Sequence, residues 1–351
     1  MSLPPTRRHF TGDHIMSWII TSDQVNPPGD AAITYGITNA GGVFNLRSTG
    51  TVDYEAEWGD GNVEISTLNT LPHTYTAGDY DLVVYSDGVY RPYFNNVTAD
   101  VSQITSVAIG SGADLGTALT SAWQGASNMT TFTCPFDVTS SVTNFGQAWR
   151  NCTSLTSFPL LDTSSGTSFN RTWDNCTSLT SFPLVNTSSG TSFNSAWYNC
   201  NSLTSFPLLD TSSGTSFNQA WLNCGNLASF PLVNISSGTN FINAWRACSG
   251  LTSFPLLDTS SGTSFSQAWL GCSRLSTFPA NMFDTTGTLV SSAFSDAWLG
   301  CALTAQSIEN ILVSLDANGA TGITLGINGG TNADTSTWSA AANAAWLSLD
   351  A

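Results

Sequence analysis

The chain contains no lysine: its eight basic residues are all arginines, set against 24 acidic ones for a net charge of −16. Lysine Schiff-base chemistry and lysine-derived cross-links are therefore excluded. So large a negative excess repels phosphate backbones and anionic lipid surfaces, which argues against nucleic-acid partners. Charge is scarce altogether, at 9% of residues, where about a quarter is usual in soluble domains. Histidine is nearly absent too. His9, His14 and His73 all precede residue 115, and the stretch 115–303 also lacks glutamate. A Ser-His-Asp device or a histidine general base cannot be assembled there. No Cys-x-x-Cys pair and no long apolar run occurs, which leaves neither a paired-cysteine metal motif nor a membrane span. No cofactor is expected.

What is abundant is apolar residues, 41% of the chain, enough to build real cores. Arg7-Arg8 begins a loose export-like pattern. The apolar patch from Ile15 to Ile20 is too short for a signal core, so residues 1–26 are expected to be an N-terminal arm rather than a signal peptide.

The organising feature is a 24-residue period. Trp149, Trp173, Trp197, Trp221, Trp245 and Trp269 mark it, and Cys152, Cys176, Cys200, Cys224, Cys248 and Cys272 follow three residues behind each. A Phe-Pro pair recurs from Phe158-Pro159 to Phe278-Pro279. Weaker copies at Trp123 and at Trp298 with Cys301 make atypical ends, as stacked repeats require. Within one unit, Phe169, Thr172, Trp173 and Cys176 fall at i, i+3, i+4 and i+7, which predicts a short helix capped by Thr167 or Ser168. Leu179, Phe182 and Leu184 predict an apolar strand turn, although the proline column deletes one ladder donor per unit. The expected fold is mixed: a β-sandwich over 27–105, a leucine-rich-repeat-like solenoid over 106–303, and a small α/β cap over 304–351. In that cap Thr304 heads a helix, Ile323, Leu325 and Ile327 alternate as a strand, and a second helix runs through Trp338, Ala342, Ala345 and Trp346.

Several columns invite a chemical reading. The cysteines, about one strand spacing apart with parallel Cβ vectors, fit a ladder of buried thiols better than disulfides. The tryptophans share the inward stripe and read as core rather than as a sugar platform. Asp162, Asp210 and Asp258 alternate with Asn186 and Asn234, which halves like-charge repulsion without any metal. Asp60 in Trp58-Gly59-Asp60-Gly61 reads as a turn residue or a calcium ligand, and His73 as a turn anchor. The Thr156, Thr180, Thr204 and Thr252 columns form a hydroxyl lattice suited to a glycan, to ice, or only to solvent. The place after each tryptophan varies: Arg150, Asp174, Tyr198, Leu222, Arg246, Leu270 and Leu299. That is the candidate binding column, expected to be exposed, with Leu222, Leu270 and Leu299 as an apolar strip against another chain.

Two resemblances add to this. Cys176-Thr177-Ser178-Leu179-Thr180-Ser181 and Asp210-Thr211-Ser212, with their Phe-Pro and Ala-Trp neighbours, resemble the BspA-type leucine-rich repeats of surface proteins, most of all those encoded by marine bacteriophages. Ser307 to Ser314 and Asn328 to Asn332 are similar to the end cap of those proteins, which continues into one more strand, so an open final edge is expected here. Trp58-Gly59-Asp60-Gly61, His73-Thr74-Tyr75 and Gly78-Asp79-Tyr80 resemble PKD-type domains. The resemblances imply a non-catalytic adhesin or host-recognition protein on a virion or extracellular surface. Its implied partners are other virion or surface proteins, a homo-oligomer, and a host glycan or receptor. The alternative is a self-assembling filament or capsid-decoration subunit.

Overall fold

A computed structural model describes residues 32–49, 53–86, 88–95, 98–327 and 330–349. The expected arm, with His9 and His14, lies outside them. The chain opens with strands β1 (Ala32–Arg47), β2 (Tyr54–Glu57), β3 (Val63–Ser66) and β4 (Thr70–Ser86). After a single helical turn, α1 (Thr98–Val101), come β5 (Ile104–Ile109) and β6 (Thr131–Thr133). They form one mixed sheet in the order β3-β2-β4-β1-β5-β6, antiparallel except for β5 against β6.

The sandwich expected over 27–105 is thus, among the described residues, a single sheet. Its burial pattern shows how one sheet suffices. In β1 the buried parity shifts from Ile33, Tyr35 and Ile37 to Phe44 and Leu46, across Gly41 and Gly42 at positive φ. In β4 it shifts likewise, from Leu71 and Tyr75 to Leu82 and Val84. The two halves of the β1–β4 ribbon bury opposite faces, and Phe94 touches Tyr35 of one half and Phe44 of the other, at 6.0 and 6.2 Å. The boundary expected at residue 105 falls inside β5. Through β6 the sheet continues into the repeat, because Phe132 begins the phenylalanine column that Phe158 extends at 6.1 Å.

Beyond β6 the 24-residue units stack in register. Isolated parallel bridges join Asn144, Ser168, Ser192, Ser216, Asn240 and Ser264 in succession. Each unit gives alternate backbone N–H groups to the next: Phe169 to Ser192 O, Arg171 to Asn194 O, Trp173 to Ala196 O and Asn175 to Tyr198 O, at 2.7–2.9 Å. The predicted helix is therefore not formed. A helix would keep those donors inside the unit. Here the segment is instead a run of tight turns, closed by Thr172 N to Phe169 O and Cys176 N to Trp173 O. The third residue of each turn, Arg171 or Asn175, has positive φ, as a type II turn requires. Such a run places every fourth residue inward much as a helix does, so the apolar spacing could not separate the two.

Indoles from Trp123 to Trp298 stack at 5.3–6.2 Å and are fully buried. Phenyl rings of the Phe158 column meet them edge-to-face, as Phe158 does with Trp149 at 4.7 Å and Trp173 at 5.4 Å. From Trp149 to Trp298 the indole Nε1 atoms have no hydrogen-bond partner within the protein, a desolvation cost of about 1–3 kcal/mol each. Every cysteine thiol of the column donates to a tryptophan carbonyl, as Cys176 does to Trp149 O at 3.2 Å, and all eight cysteines are free. Burial pushes Cys248 and Cys301 up to about 12, so these thiols are not nucleophiles near neutrality.

The proline column explains a second departure. In three units a γ-type bond closes over the residue after proline: Val185 N to Pro183 O, Leu209 N to Pro207 O and Val233 N to Pro231 O, at 2.9–3.0 Å. The turn sends Leu184 outward and Val185 inward, against the expectation that Leu184 is core.

The C-terminal cap closes the stack. Thr304 does cap α2 (Ala305–Ala317), its hydroxyl accepting from Ser307 N at 3.2 Å. The helix lays Ile308, Ile311, Leu312 and Leu315 on the final unit. Its polar residues take up that unit's backbone groups: Phe278 N donates to Ser307 Oγ, Phe283 N to Ser314 Oγ, and Asn310 Nδ2 to Phe278 O. The helix thus covers the backbone edge of the last Phe-Pro unit. Ile323, Leu325 and Ile327 are buried but form no strand, because their segment follows a turn run, receiving Trp298 N at Gly326 O. Helix α3 (Ala340–Leu349) packs Ala342 and Ala345 inward.

Close stacking makes the Gly214 column sensitive to a single methyl. A Cβ at Gly214 would stand 2.5 Å from Phe217 Cζ and 3.0 Å from Thr211 O. Gly214→Ala is expected to cost about 1–3 kcal/mol of stability, measurable as a lower urea midpoint. An unchanged midpoint would show that the phenyl column has room to shift.

Candidate functional site along the turn column

The turn runs bring two columns of left-handed residues to the surface. Gln147, Arg171, Ser195, Gln219 and Asn243 form the first, and Asn151, Asn175, Asn199, Asn223 and Ala247 the second, with φ from +53° to +64°. Left-handed backbone costs a residue with a Cβ roughly 1–2 kcal/mol, less for asparagine. In the second column the asparagine amides form a ladder, each Nδ2 donating to the Oδ1 one unit back, as Asn175 does to Asn151 at 3.0 Å. Gly271 and Gly300 replace them further along.

Between these columns lies an open groove of about 780 Å³, lined by Arg150, Arg171, Asp174, Tyr198, Leu222 and Arg246 and floored by the asparagine ladder. A second depression of about 470 Å³ shares Arg171, Ser195 and Gln219 with it and is otherwise lined by amides and Ser216. The structure so brings together five of the seven variable-column residues. Leu270 and Leu299 do not line the groove.

The column is less exposed than expected. Asp174 is buried, at 6% exposure, and the others are half-buried. Leu222, Leu270 and Leu299 therefore make no exposed apolar strip, because the residue after each tryptophan is flanked by the turn run of the next unit. The exposed apolar column lies on another part of the unit: Phe136, Leu160, Leu184, Leu208, Leu232 and Leu256 are 51–65% exposed.

Arg150 Nε pairs with Asp174 Oδ2 at 3.0 Å, and its Nη1 reaches Gln147. Arg246 Nη1 is held by Asn243 and Gln267. Burial raises the Asp174 carboxyl, and Arg150 and Arg171 oppose that rise without cancelling it. Three guanidiniums against one carboxylate make the groove cationic on an acidic chain. Sequence reasoning missed Arg171 and the asparagine ladder. A signal was present, since both occupy fixed places two residues before and after each tryptophan.

Other candidates have structural employment. Asp210 Oδ1 accepts from Ser212 N and Oγ, and Asn186 Oδ1 from Ser188 in the same way. An Asx turn serves both residue types, and the serine hydrogen bonds hold Asp210 and Asp258 below the ordinary carboxylate range. The hydroxyl lattice is turned onto the backbone where Thr180 Oγ1 donates to Thr156 O and Ser276 Oγ to Thr252 O. Asp60 Oδ1 accepts from Asn62, while Oδ2 meets His73 Nε2 at 2.8 Å. Burial would raise Asp60, but the bonds from His73 and Asn62 leave it lowered. His73 stacks on Trp58 at 4.4 Å, and Tyr75 donates to Trp58 O, so the three N-terminal motifs converge on one cluster. Among the described residues no group of three or more His, Cys, Asp or Glu converges as a metal site would, and no helix is long and apolar enough to cross a membrane.

No family model matches the chain, and no curated protein matches it.

The left-handed columns separate backbone strain from side-chain use. Ala247 makes no side-chain hydrogen bond, and the next two units carry glycine at its place. Ala247→Gly is expected to stabilise by about 0.5–1 kcal/mol. Asn199→Ala, which breaks the amide ladder, is expected to destabilise by about 1–2 kcal/mol. Urea titration of both variants checks this; the same sign for both would refute it.

Proposed function

We propose that the chain is a non-catalytic display protein that recognises a host surface, its stack being a leucine-rich-repeat-like solenoid and its sheet a PKD-like domain. A virion or other extracellular surface is its proposed setting. The observation that carries the reading is the groove, where the variable residues converge on a floor repeated over four successive units, Asn151, Asn175, Asn199 and Asn223. A repeating floor suits a repeating ligand, to which many weak contacts add. The absence of histidine, glutamate and lysine from 115–303 supports a non-catalytic role, as does the ion pair that occupies the groove's carboxylate. The Trp58–His73–Tyr75 cluster supports the PKD-like reading of the sheet. The full chain, applied to an array of bacterial surface polysaccharides, is expected to bind at least one class, and Tyr198→Ala to weaken that binding several-fold. An array without binding would overturn the recognition reading.

One observation favours self-assembly as the second reading: the exposed column from Phe136 to Leu256. A second copy presents the same column at the same spacing, so leucines of one copy seat between those of the other. Sedimentation of the full chain tests it. Leu184→Ser with Leu208→Ser and Leu232→Ser is expected to dissociate any oligomer; an unchanged sedimentation coefficient excludes this face as an interface.

A further inference from the structure

We propose that the groove binds a linear acidic polysaccharide, its carboxylate or sulfate groups held by Arg150, Arg171 and Arg246. This rests on the recognition reading and adds the chemical class of the ligand. Three of the chain's eight arginines line one groove, although the chain as a whole carries −16. Attraction to anions is therefore local to this face, and the acidic remainder repels them elsewhere.

Two of the three arginines are also preorganised. Arg150 spends Nε on Asp174 and Nη1 on Gln147, which fixes the guanidinium and leaves Nη2 with both its donors. Arg246 is pinned through Nη1 by Asn243 and Gln267, leaving Nε and Nη2. Side chains ordered before binding lose less entropy on it, and a planar guanidinium fits a carboxylate or sulfate. Holding Asp174 against Arg150 also keeps the one carboxylate of the lining from facing a ligand unneutralised.

Spacing selects among anionic polymers. Arg150 and Arg171 sit towards one end of the groove and Arg246 at the other, four units from Arg150 and three from Arg171, or about 19 and 14 Å at one strand spacing per unit. The intervening units present Tyr198, Leu222 and amides, with no charge. A nucleic acid carries a phosphate at every residue and would leave several unpaired along this neutral middle. A polysaccharide acidic on only some of its sugars places hydroxyls and the apolar face of a sugar ring there, which the amides and the Tyr198 face accommodate.

The full chain is to be titrated with hyaluronan, whose carboxylates fall on alternate sugars, a glycan with one sulfate per disaccharide, neutral dextran and single-stranded DNA at low and at physiological salt. Hyaluronan or the sulfated glycan is expected to bind, at least tenfold more weakly in the higher salt, with no binding of dextran. Arg150→Gln, Arg171→Gln and Arg246→Gln together are expected to lower that affinity at least tenfold. Arg274→Gln, outside the groove, is expected to leave it unchanged. The blue-shifted emission of the buried indoles reports that each variant is folded, and the single Arg171→Gln, whose side chain supports no internal bond, stands in if the triple variant is not. The proposal is overturned if DNA binds as tightly as the acidic glycans, if the arginine variants bind them unchanged, or if neither glycan binds. Binding of neutral glycans alone would overturn this inference and leave the recognition reading standing.

Discussion

Everything in the stack depends on one exchange: alternate backbone N–H groups leave their own unit for the carbonyls of the next. That exchange fixes the period. A unit one residue longer or shorter between its bonded columns would move Trp, Phe and Cys off their ladders together. The chain shows where length is tolerated. Between Trp269 and Trp298 five extra residues are inserted, yet Trp269 N still reaches Ala297 O and the two indoles stack at 5.3 Å. The additional length bulges between bonded columns rather than within one.

The same exchange creates the groove. Backbone that gives every other N–H to a neighbour and closes tight turns with the rest must place two residues per unit in left-handed conformation. Glycine would suit both places, and glycine does occupy the second column near the C-terminal end. In the central units those places carry arginine, serine, glutamine and asparagine, and their side chains form the groove. Strain retained where the side chains meet at a surface accords with the binding role proposed for the groove.

The ladders were legible in the sequence because the period is a property of spacing alone. Trp173, Cys176 and Phe182 announced their burial by recurrence. The conformation joining them was not legible, since i, i+3, i+4, i+7 fits a helix and a run of turns alike, and only the destination of Arg171 N and Trp173 N tells them apart. Leu184 misled for a similar reason: alternation holds in a strand, and the bond across Pro183 to Val185 breaks it. The candidate column from Arg150 to Arg246 could be picked out by its variability, but its half-burial depends on the unit stacked beside it. In the N-terminal sheet, His73 read only as a turn anchor and its stacking on Trp58 emerges with the fold; the parity shift that lets one sheet bury two faces likewise depends on how Gly41 and Gly42 bend the ribbon.

The ends of the stack are particular and its middle is not. β6 completes one end and the serines and asparagines of α2 the other, each fitted to a single neighbouring unit, while interior units meet only copies of themselves. A gene segment of 24 codons could therefore be duplicated or lost by recombination without disturbing either terminus. Each such event would change the groove by one unit, about 4.8 Å. The fold is thus a ruler whose length lineages can reset in whole increments, so that the reach of the groove is set separately from the residues each increment contributes to it.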